Sequence, residues 1–151
     1  MQPTAVSCAI EPFATASAAL KTSRDPAALG DQFHDALIME LNKQGVALKE
    51  SHPSLGQADF TIEGSFILID EGDRALRYFL SFLAGAAIVE VKGRLFQGDV
   101  PVTELHARTS QSVGVFGGDP ERMLRQCATT AGRQIAAQVC EAIVSLAEVT
   151  P

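Results

Sequence analysis

Histidine and cysteine are the residue types in this chain that could bind a metal or act as nucleophiles. The histidines are His34, His52 and His106, and no two of them have the HxxxH or HxH spacing that places two imidazoles on one metal ion. His34 and His106 fall on predicted polar faces, and His52 lies in a turn. We therefore expect solvated histidines and predict no metal site.

The three cysteines are Cys8, Cys127 and Cys140, an odd number without a CxxC pair. These features argue against a disulfide framework and against a zinc site. Cys127 and Cys140 fall in one predicted helix, where the rise per residue separates them by about 20 Å, too far for a disulfide bond. Cys8 could bond to one of them at most, so we predict three small, buried apolar side chains.

An acidic turn and a glycine-rich loop are two further candidates for chemistry. Asp70, Glu71 and Asp73 share a turn, but nothing in the sequence indicates the burial that would raise a carboxyl pKa for acid–base work. The segment GVFGGDP precedes a predicted helix, yet it lacks the GK[ST] ending of a P-loop, and Asp119 puts a carboxylate at the phosphate position. The sequence contains no GxSxG motif. We predict no catalytic residue, no cofactor and no enzyme activity.

The bulk composition limits the class of protein and its partners. The chain has 151 residues, 46% of them apolar, and a formal net charge of −6. This length favours a single domain, 1–151, and the acidic balance argues against a nucleic-acid partner, which needs a basic face. The first residues, MQPTAVSCAIEPF, have neither the basic segment nor the long apolar segment of a signal peptide.

Two amphipathic helices are predicted, and each begins at an Asp-Pro pair, a typical cap followed by a first helical residue. The first ends at Gly45, a suitable C-cap, and the second spans about residues 121–147. Their apolar stripes are Leu29, Phe33, Leu37 and Leu41 in the first helix, and Met123, Leu124, Cys127, Ala131, Ile135, Val139, Ile143 and Leu146 in the second. The small residues that predict a close approach of the second helix to the sheet are Ala128, Gly132 and Ala136.

Strands are predicted where apolar and polar residues alternate. Short strands, TAVSCAI and VALKE, flank the first helix, and three longer ones follow. The inward residues of the long strands are Phe60, Ile62, Gly64, Phe66 and Leu68, then Val89, Val91 and Leu95, then Leu105, Ala107 and Thr109. Charged residues on the opposite faces imply an antiparallel sheet that is exposed to water on one side. The order β-α-β-β-β-β-α predicts an α+β fold, a two-layer sandwich whose mostly antiparallel sheet carries two helices on one face.

The apolar run from Phe79 to Val89 is a candidate for a membrane segment or for an interface. Its length of about 11 residues is short of the roughly 20 that a spanning helix needs, so we predict no membrane-spanning segment. We expect the run to pack against protein, with Arg74 and Arg77 at its rim. Those arginines either form solvated ion pairs with the acidic turn or belong to a subunit contact. The residues of this candidate interface are Arg74, Arg77, Phe79, Leu80, Phe82 and Leu83.

The stretch GDRALRYFLSFLAGAAIVEVKGRLF also carries a resemblance. With the segment SVGVFGGD and an alanine-rich terminal helix after it, it resembles the bacterial family known as domain of unknown function 4410. The matching positions include Gly72, Arg77, Gly85, Val89 and Val91, and the similarity covers about residues 58–146, with a looser match over 10–41. The opening strand, its Glu-Pro-Phe ending and the helix are also similar to those of the curli-secretion lipoprotein family and of the amino-terminal domain of the Tol-system propeller protein.

The resemblance implies an α+β fold and a cell-envelope setting, in the periplasm or at the outer-membrane periphery, with a lipid anchor on the full-length precursor. It implies no enzymatic activity. The sequence AVSC departs from a lipobox because Cys8 falls in a predicted strand. We therefore expect a non-enzymatic envelope protein that binds itself or another envelope protein. The alternative is a small-molecule binding module, with a pocket between the glycine loops and the two helices.

Overall fold

The computed structural model describes residues 6–15, 18–21, 26–48, 59–70, 87–111 and 120–149, which form six strands and two helices. In chain order these elements are β1 (Ser7–Ile10), β2 (Ala19–Lys21), α1 (Pro26–Lys43), β3 (Ala47–Leu48), β4 (Phe60–Asp70), β5 (Ala87–Gln97), β6 (Val100–Gln111) and α2 (Pro120–Val149). The predicted α+β class and the order β-α-β-β-β-β-α are confirmed. The three-residue strand β2 is an addition, in a stretch whose composition predicts a loop.

The strands form one sheet in the order β3-β1-β4-β5-β6, and β2 pairs with β4 beyond the end of β1. β1 is parallel to both β3 and β4, because α1 returns the chain to the starting end of the sheet before the next strand begins. The long strands β4, β5 and β6 are antiparallel neighbours, so the sheet is mostly antiparallel, as predicted.

Alternate residues of the long strands face the helices and form the core. Val89, Val91 and Leu105 are fully buried, as the alternation predicts. The two helical stripes cover them from the other side, although Ile143 and Leu146 at the end of α2 are only partly buried. The fully buried helical residues include Phe33, Leu37, Leu41, Leu124, Ile135 and Val139.

A β-bulge in β4 changes which residue enters the core near the end of the strand. The register with β5 shifts between Phe66 and Leu68, so Leu68 lies opposite Glu90 and Ile69 lies opposite the buried Val89. The prediction that Leu68 faces inward is therefore wrong, and Ile69 is the fully buried residue. A single extra residue reverses the alternation because side chains in a strand have a period of two.

The helix ends agree with the predicted caps where the structure describes them. α1 begins at Pro26, and Gly45 has a φ of 87°, which a residue without a side chain adopts readily. The Val46 N–H then donates to the Leu41 carbonyl at 3.0 Å, closing the helix. Neither helix, over the residues described, contains a stretch that is long and apolar enough to cross a membrane.

The prediction that Gly132 allows a close approach of α2 to the sheet is wrong, because Gly132 lies against α1. A Cβ atom at Gly132 would lie 2.6 Å from the Phe33 carbonyl oxygen and 2.9 Å from the Ala36 Cβ. The two helices therefore touch backbone to backbone at this point. The reason is their placement side by side in one layer, which makes the helix–helix distance, and not only the helix–sheet distance, depend on small side chains.

Candidate interaction surface

The face of the sheet opposite the helices carries charged side chains in rows that cross the strands. Glu63, Arg94 and Glu104 lie directly opposite one another on β4, β5 and β6, so the sign of the charge alternates across the row. Arg94 Nη2 lies 3.6 Å from Glu104 Oε1, and both side chains are mostly exposed. Such an exposed pair contributes little to the stability of the fold. The row is therefore a surface pattern of alternating charges and not a source of stability.

A second cluster on the same face centres on Glu90 of β5. Glu90 Oε2 lies 2.6 Å from His106 Nε2, and Glu90 Oε1 lies 3.4 Å from Arg108 Nη1. The Glu90 side chain is 17% exposed, whereas those of His106 and Arg108 are about half exposed. His106 is exposed to solvent, as expected. Its ring also contacts the Glu90 carboxylate, because the register of β5 and β6 places these two residues diagonally next to each other.

The outer edge of this face is protected by a side chain from α2. β6 is the outermost strand among those that the structure describes, so the backbone groups of its alternate residues point away from β5. The His106 N–H donates to Gln138 Oε1 at 3.0 Å, and Gln138 Nε2 donates to the His106 carbonyl at 2.6 Å. The amide of Gln138 thus occupies the hydrogen-bonding positions that another strand would use at this residue.

The Glu-Pro-Phe segment after β1 packs an aromatic ring over two glycines of the sheet. Gly64 and Gly93 lie opposite each other on β4 and β5. A Cβ atom at Gly64 would lie 2.4 Å from the Phe13 ring, and one at Gly93 would lie 3.2 Å from it. Phe13 is 3% exposed, and its ring centroid is 4.8 Å from that of Phe33 on α1. The two glycines therefore make room for Phe13 between sheet and helix, a common use of glycine within a strand.

His34 holds this segment in place and is not the solvated group that we expected. The Phe13 N–H donates to His34 Nε2 at 3.0 Å, so that nitrogen carries no proton. Burial lowers the pKa of His34 below its usual value, although nearby Asp31, the Gly30 backbone and Asp35 act in the opposite direction. The signal that sequence reasoning missed is the pair of core-facing glycines, which indicates a bulky neighbour from elsewhere in the chain.

The three cysteines are free; Cys8 and Cys127 are buried, as predicted, whereas Cys140 is only partly buried. Burial, with a smaller contribution from Cys140, raises the pKa of the Cys8 thiol to about 12. Burial also raises the pKa of Cys127 and of the half-buried Cys140. A thiol with a raised pKa is a poor nucleophile at neutral pH, because the thiolate is the reactive form.

The buried Thr109 hydroxyl connects the sheet to α2, since it donates to the Cys127 carbonyl at 2.8 Å.

Several residues singled out in the sequence lie outside the described ranges. These are His52, Glu71 and Asp73 of the acidic turn, the glycine-rich loop with Asp119, and the six residues of the candidate interface, Arg74, Arg77, Phe79, Leu80, Phe82 and Leu83. Within the described ranges no three histidine, cysteine or carboxylate side chains come together in a way that could hold a metal ion.

The fold is shared with solved bacterial proteins of low sequence identity. A hypothetical protein from Chlamydia trachomatis has a TM-score of 0.72 at 14% identity, covering 94% of this chain and 99% of that chain. The PelC dodecamer from Paraburkholderia phytofirmans has a TM-score of 0.55 at 15% identity, covering 87% and 86%. A minor lipoprotein from Acinetobacter baumannii has a TM-score of 0.52 at 12% identity, covering 89% and 92%. Identities this low show a common fold alone.

The family is shown by the sequence itself. No functionally curated protein matches the chain. Residues 6–138 match the family described as domain of unknown function, DUF4410, which spans the described elements from β1 into α2. The resemblance seen in the stretch from Gly72 to Phe96 and in the terminal helix is therefore confirmed, and the chain belongs to the DUF4410 family.

Proposed function

We propose that this protein is a non-enzymatic component of the bacterial cell envelope that binds a second copy of itself or another envelope protein. Its place is the periplasm or the outer-membrane periphery, with a lipid anchor on the full-length precursor. Its role is to assemble or stabilise an envelope complex, with the sheet as the rigid platform for the contact.

The observation that carries this proposal is that the described helices cover one face of the sheet and leave the charges of the other face exposed. Both helices pack on one face, and the other face of β4, β5 and β6 presents exposed charges of alternating sign. The sign alternation in the row of Glu63, Arg94 and Glu104 gives this surface a pattern that a second patterned surface can match. Electrostatic complementarity of this kind favours specific partners and fast association.

Two of the proteins with the same fold support the setting and the self-association. The Acinetobacter baumannii protein is a minor lipoprotein, which supports an envelope location for this chain. PelC from Paraburkholderia phytofirmans is a dodecamer, so the fold is compatible with assembly into a closed oligomer.

The test measures the mass of the protein by light scattering over a wide concentration range. We expect a multiple of the 16.0 kDa monomer. Arg94→Glu should shift the mass towards the monomer, because it reverses a charge on the open face, which is the face of β4, β5 and β6 opposite the helices. Lys43→Glu at the end of α1 is the matched control, because it makes the same charge change away from this face.

The same variants test whether the partner is another envelope protein. An envelope protein captured by the native chain and by Lys43→Glu, but not by Arg94→Glu, supports the proposal. A monomer at every concentration, with no envelope protein whose capture depends on the open face, would overturn it.

A further inference from the structure

An open, polar groove of about 590 Å³ lies beside α2, on the α1 side. Three arginines of α2, Arg122, Arg125 and Arg133, line it together with Gln32 of α1 and Gln111 at the end of β6. The remaining lining residues are also uncharged and polar. The groove thus combines a concentration of positive charge with hydrogen-bonding groups from three elements.

The helical repeat explains why these arginines share one groove. Steps of three, eight and eleven residues separate Arg122, Arg125 and Arg133, and such steps return to nearly the same side of an α-helix. At 1.5 Å per residue, Arg122 and Arg125 start about 5 Å apart along the axis, and Arg133 starts about 12 Å beyond Arg125. Two positive charges therefore lie at one end of the groove and a third lies further along it.

The charge of this groove is not balanced by the part of the chain that the structure describes. No carboxylate is among the lining residues, and none of the three arginines forms an ion pair with a described side chain. The chain as a whole carries a net charge of −6. Nevertheless, three of its 12 Lys and Arg residues line one groove, and no described carboxylate lines it with them. Clustered guanidinium groups repel one another, and an anion between them removes that repulsion.

A hydrogen bond between the two helices fixes two of the residues that line the groove. Gln32 Nε2 donates to Thr129 Oγ1 at 2.9 Å, and both side chains are partly buried. This bond uses an acceptor position of the Thr129 hydroxyl and leaves its proton available for an oxygen of a ligand. The neutral donors between the arginines are therefore held in place before a ligand arrives.

We propose that this groove binds a ligand that carries two or more phosphate or carboxylate groups. Arg122 and Arg125 hold one anionic group, and Arg133 holds another. Arginine suits both groups, because its planar fork donates two parallel hydrogen bonds to either. The proposal gives the small-molecule alternative a location between the two helices, and it does not depend on self-association through the open sheet face.

The experiment titrates the native chain with sodium tripolyphosphate by isothermal titration calorimetry at low ionic strength. We expect binding that weakens as salt is added, and weaker binding of inorganic monophosphate, which spans only one end of the groove. Arg125→Gln and Arg133→Gln should each lower the affinity about tenfold or more, the usual cost of losing a hydrogen bond between charged groups. Arg94→Gln on the open sheet face is the matched control and should bind like the native chain.

A parallel arm separates a soluble ligand from a lipid headgroup. The same proteins are sedimented with vesicles of phosphatidylglycerol and phosphatidylcholine, and with vesicles of phosphatidylcholine alone. Groove-dependent binding to the anionic vesicles identifies neighbouring lipid headgroups, with one phosphate each, as the source of the anionic groups. Groove-dependent binding of tripolyphosphate alone identifies a soluble polyanion. Because the three arginines are exposed, the thermal midpoint of each variant should equal that of the native chain, which confirms folding.

The proposal is overturned if neither tripolyphosphate nor anionic vesicles bind. It is also overturned if Arg94→Gln weakens binding as much as the groove variants, since binding would then follow net charge alone. Self-association is measured separately by light scattering, so either proposal can fail while the other holds.

Discussion

The side-chain amide of Gln138 pairs with the backbone of His106 as though it were a residue of a seventh strand. It accepts from the His106 N–H at 3.0 Å and donates to the His106 carbonyl at 2.6 Å. An unpaired edge strand invites pairing with other chains, and natural sheets usually block such edges. Here the blocking side chain comes from α2, so the helix that completes the core also caps the edge strand β6 at His106.

Replacing Gln138 by Ala should expose this edge. We expect a loss of about 1 kcal/mol in the free energy of unfolding, the usual net value of a hydrogen bond, and more association at high concentration. Urea denaturation and light scattering measure the two effects. Gln134→Ala is the control, because Gln134 is exposed on the same helix and its side chain forms no hydrogen bond with a described residue. If the two variants are equally stable and associate to the same extent, the Gln138 side chain does not protect the edge of the sheet.

A methyl group at Gly132 should destabilise the protein, although alanine is the better helix former. The helix propensity gain from Gly132→Ala is about 1 kcal/mol. Against it, the new Cβ would lie 2.6 Å from the Phe33 carbonyl oxygen and 3.0 Å from the Leu37 nitrogen, which are backbone atoms that cannot rotate away. Overpacking of a core commonly costs about 1–3 kcal/mol, and a clash with backbone lies at the upper end of that range.

Chemical denaturation of Gly132→Ala tests this prediction, with Ala137→Gly as the comparison. Ala137 is exposed on the same helix, so its replacement should cost only the propensity difference of about 1 kcal/mol. A Gly132→Ala protein as stable as the native one would mean that the helices separate without cost.

Protonation of His34 should make the protein less stable as the pH falls. Burial lowers the pKa of His34 below its usual 6.5, so the unfolded chain takes up this proton at a higher pH than the folded chain does. The stabilisation is therefore complete above about pH 6.5 and is lost as the pH falls from there through the folded-state pKa. The main cause is burial, which disfavours the charged ring, and protonation of Nε2 would also remove the acceptor of the Phe13 N–H.

Urea midpoints measured between about pH 5.5 and pH 7.5, one unit either side of the usual histidine pKa, check this expectation. His34→Gln keeps an acceptor but cannot take up a proton in this range, so its stability should change less with pH than that of the native chain. If both proteins follow one curve, His34 does not govern the acid response.

The cysteines should react slowly with a thiol reagent in the folded protein and in a definite order. Cys8 is fully buried and its pKa is raised to about 12, whereas Cys140 is only half-buried. We expect Cys140 to react first with Ellman's reagent, and Cys8 and Cys127 to react only on unfolding. Cys140→Ser should remove the early phase and Cys127→Ser should retain it. An early phase that survives Cys140→Ser would place the accessible thiol elsewhere.

The helices, the long strands and most of the core follow from patterns that are local in the chain. The four-residue spacing of Leu29, Phe33, Leu37 and Leu41 predicts the buried side of α1, and the alternation around Val89 and Val91 predicts the buried side of β5. These patterns suffice because one apolar face of each element must be removed from water, whatever the element packs against. The same local stretches carry the resemblance to the DUF4410 family.

Contacts between distant segments were decided only by the tertiary structure. Phe13 meets Gly64 and Gly93 across more than fifty residues, and His34 becomes half-buried because Phe13 lies over it. The bulge after Phe66 exchanges Leu68 for Ile69 in the core, and Gln32 joins the arginines of α2 only because the helices lie side by side. The sequence determined by itself which face of the helices, and of the strands outside the bulge, avoids water. The partners of the polar groups depended on register, crossover and helix packing, which arise only when separate elements are brought together.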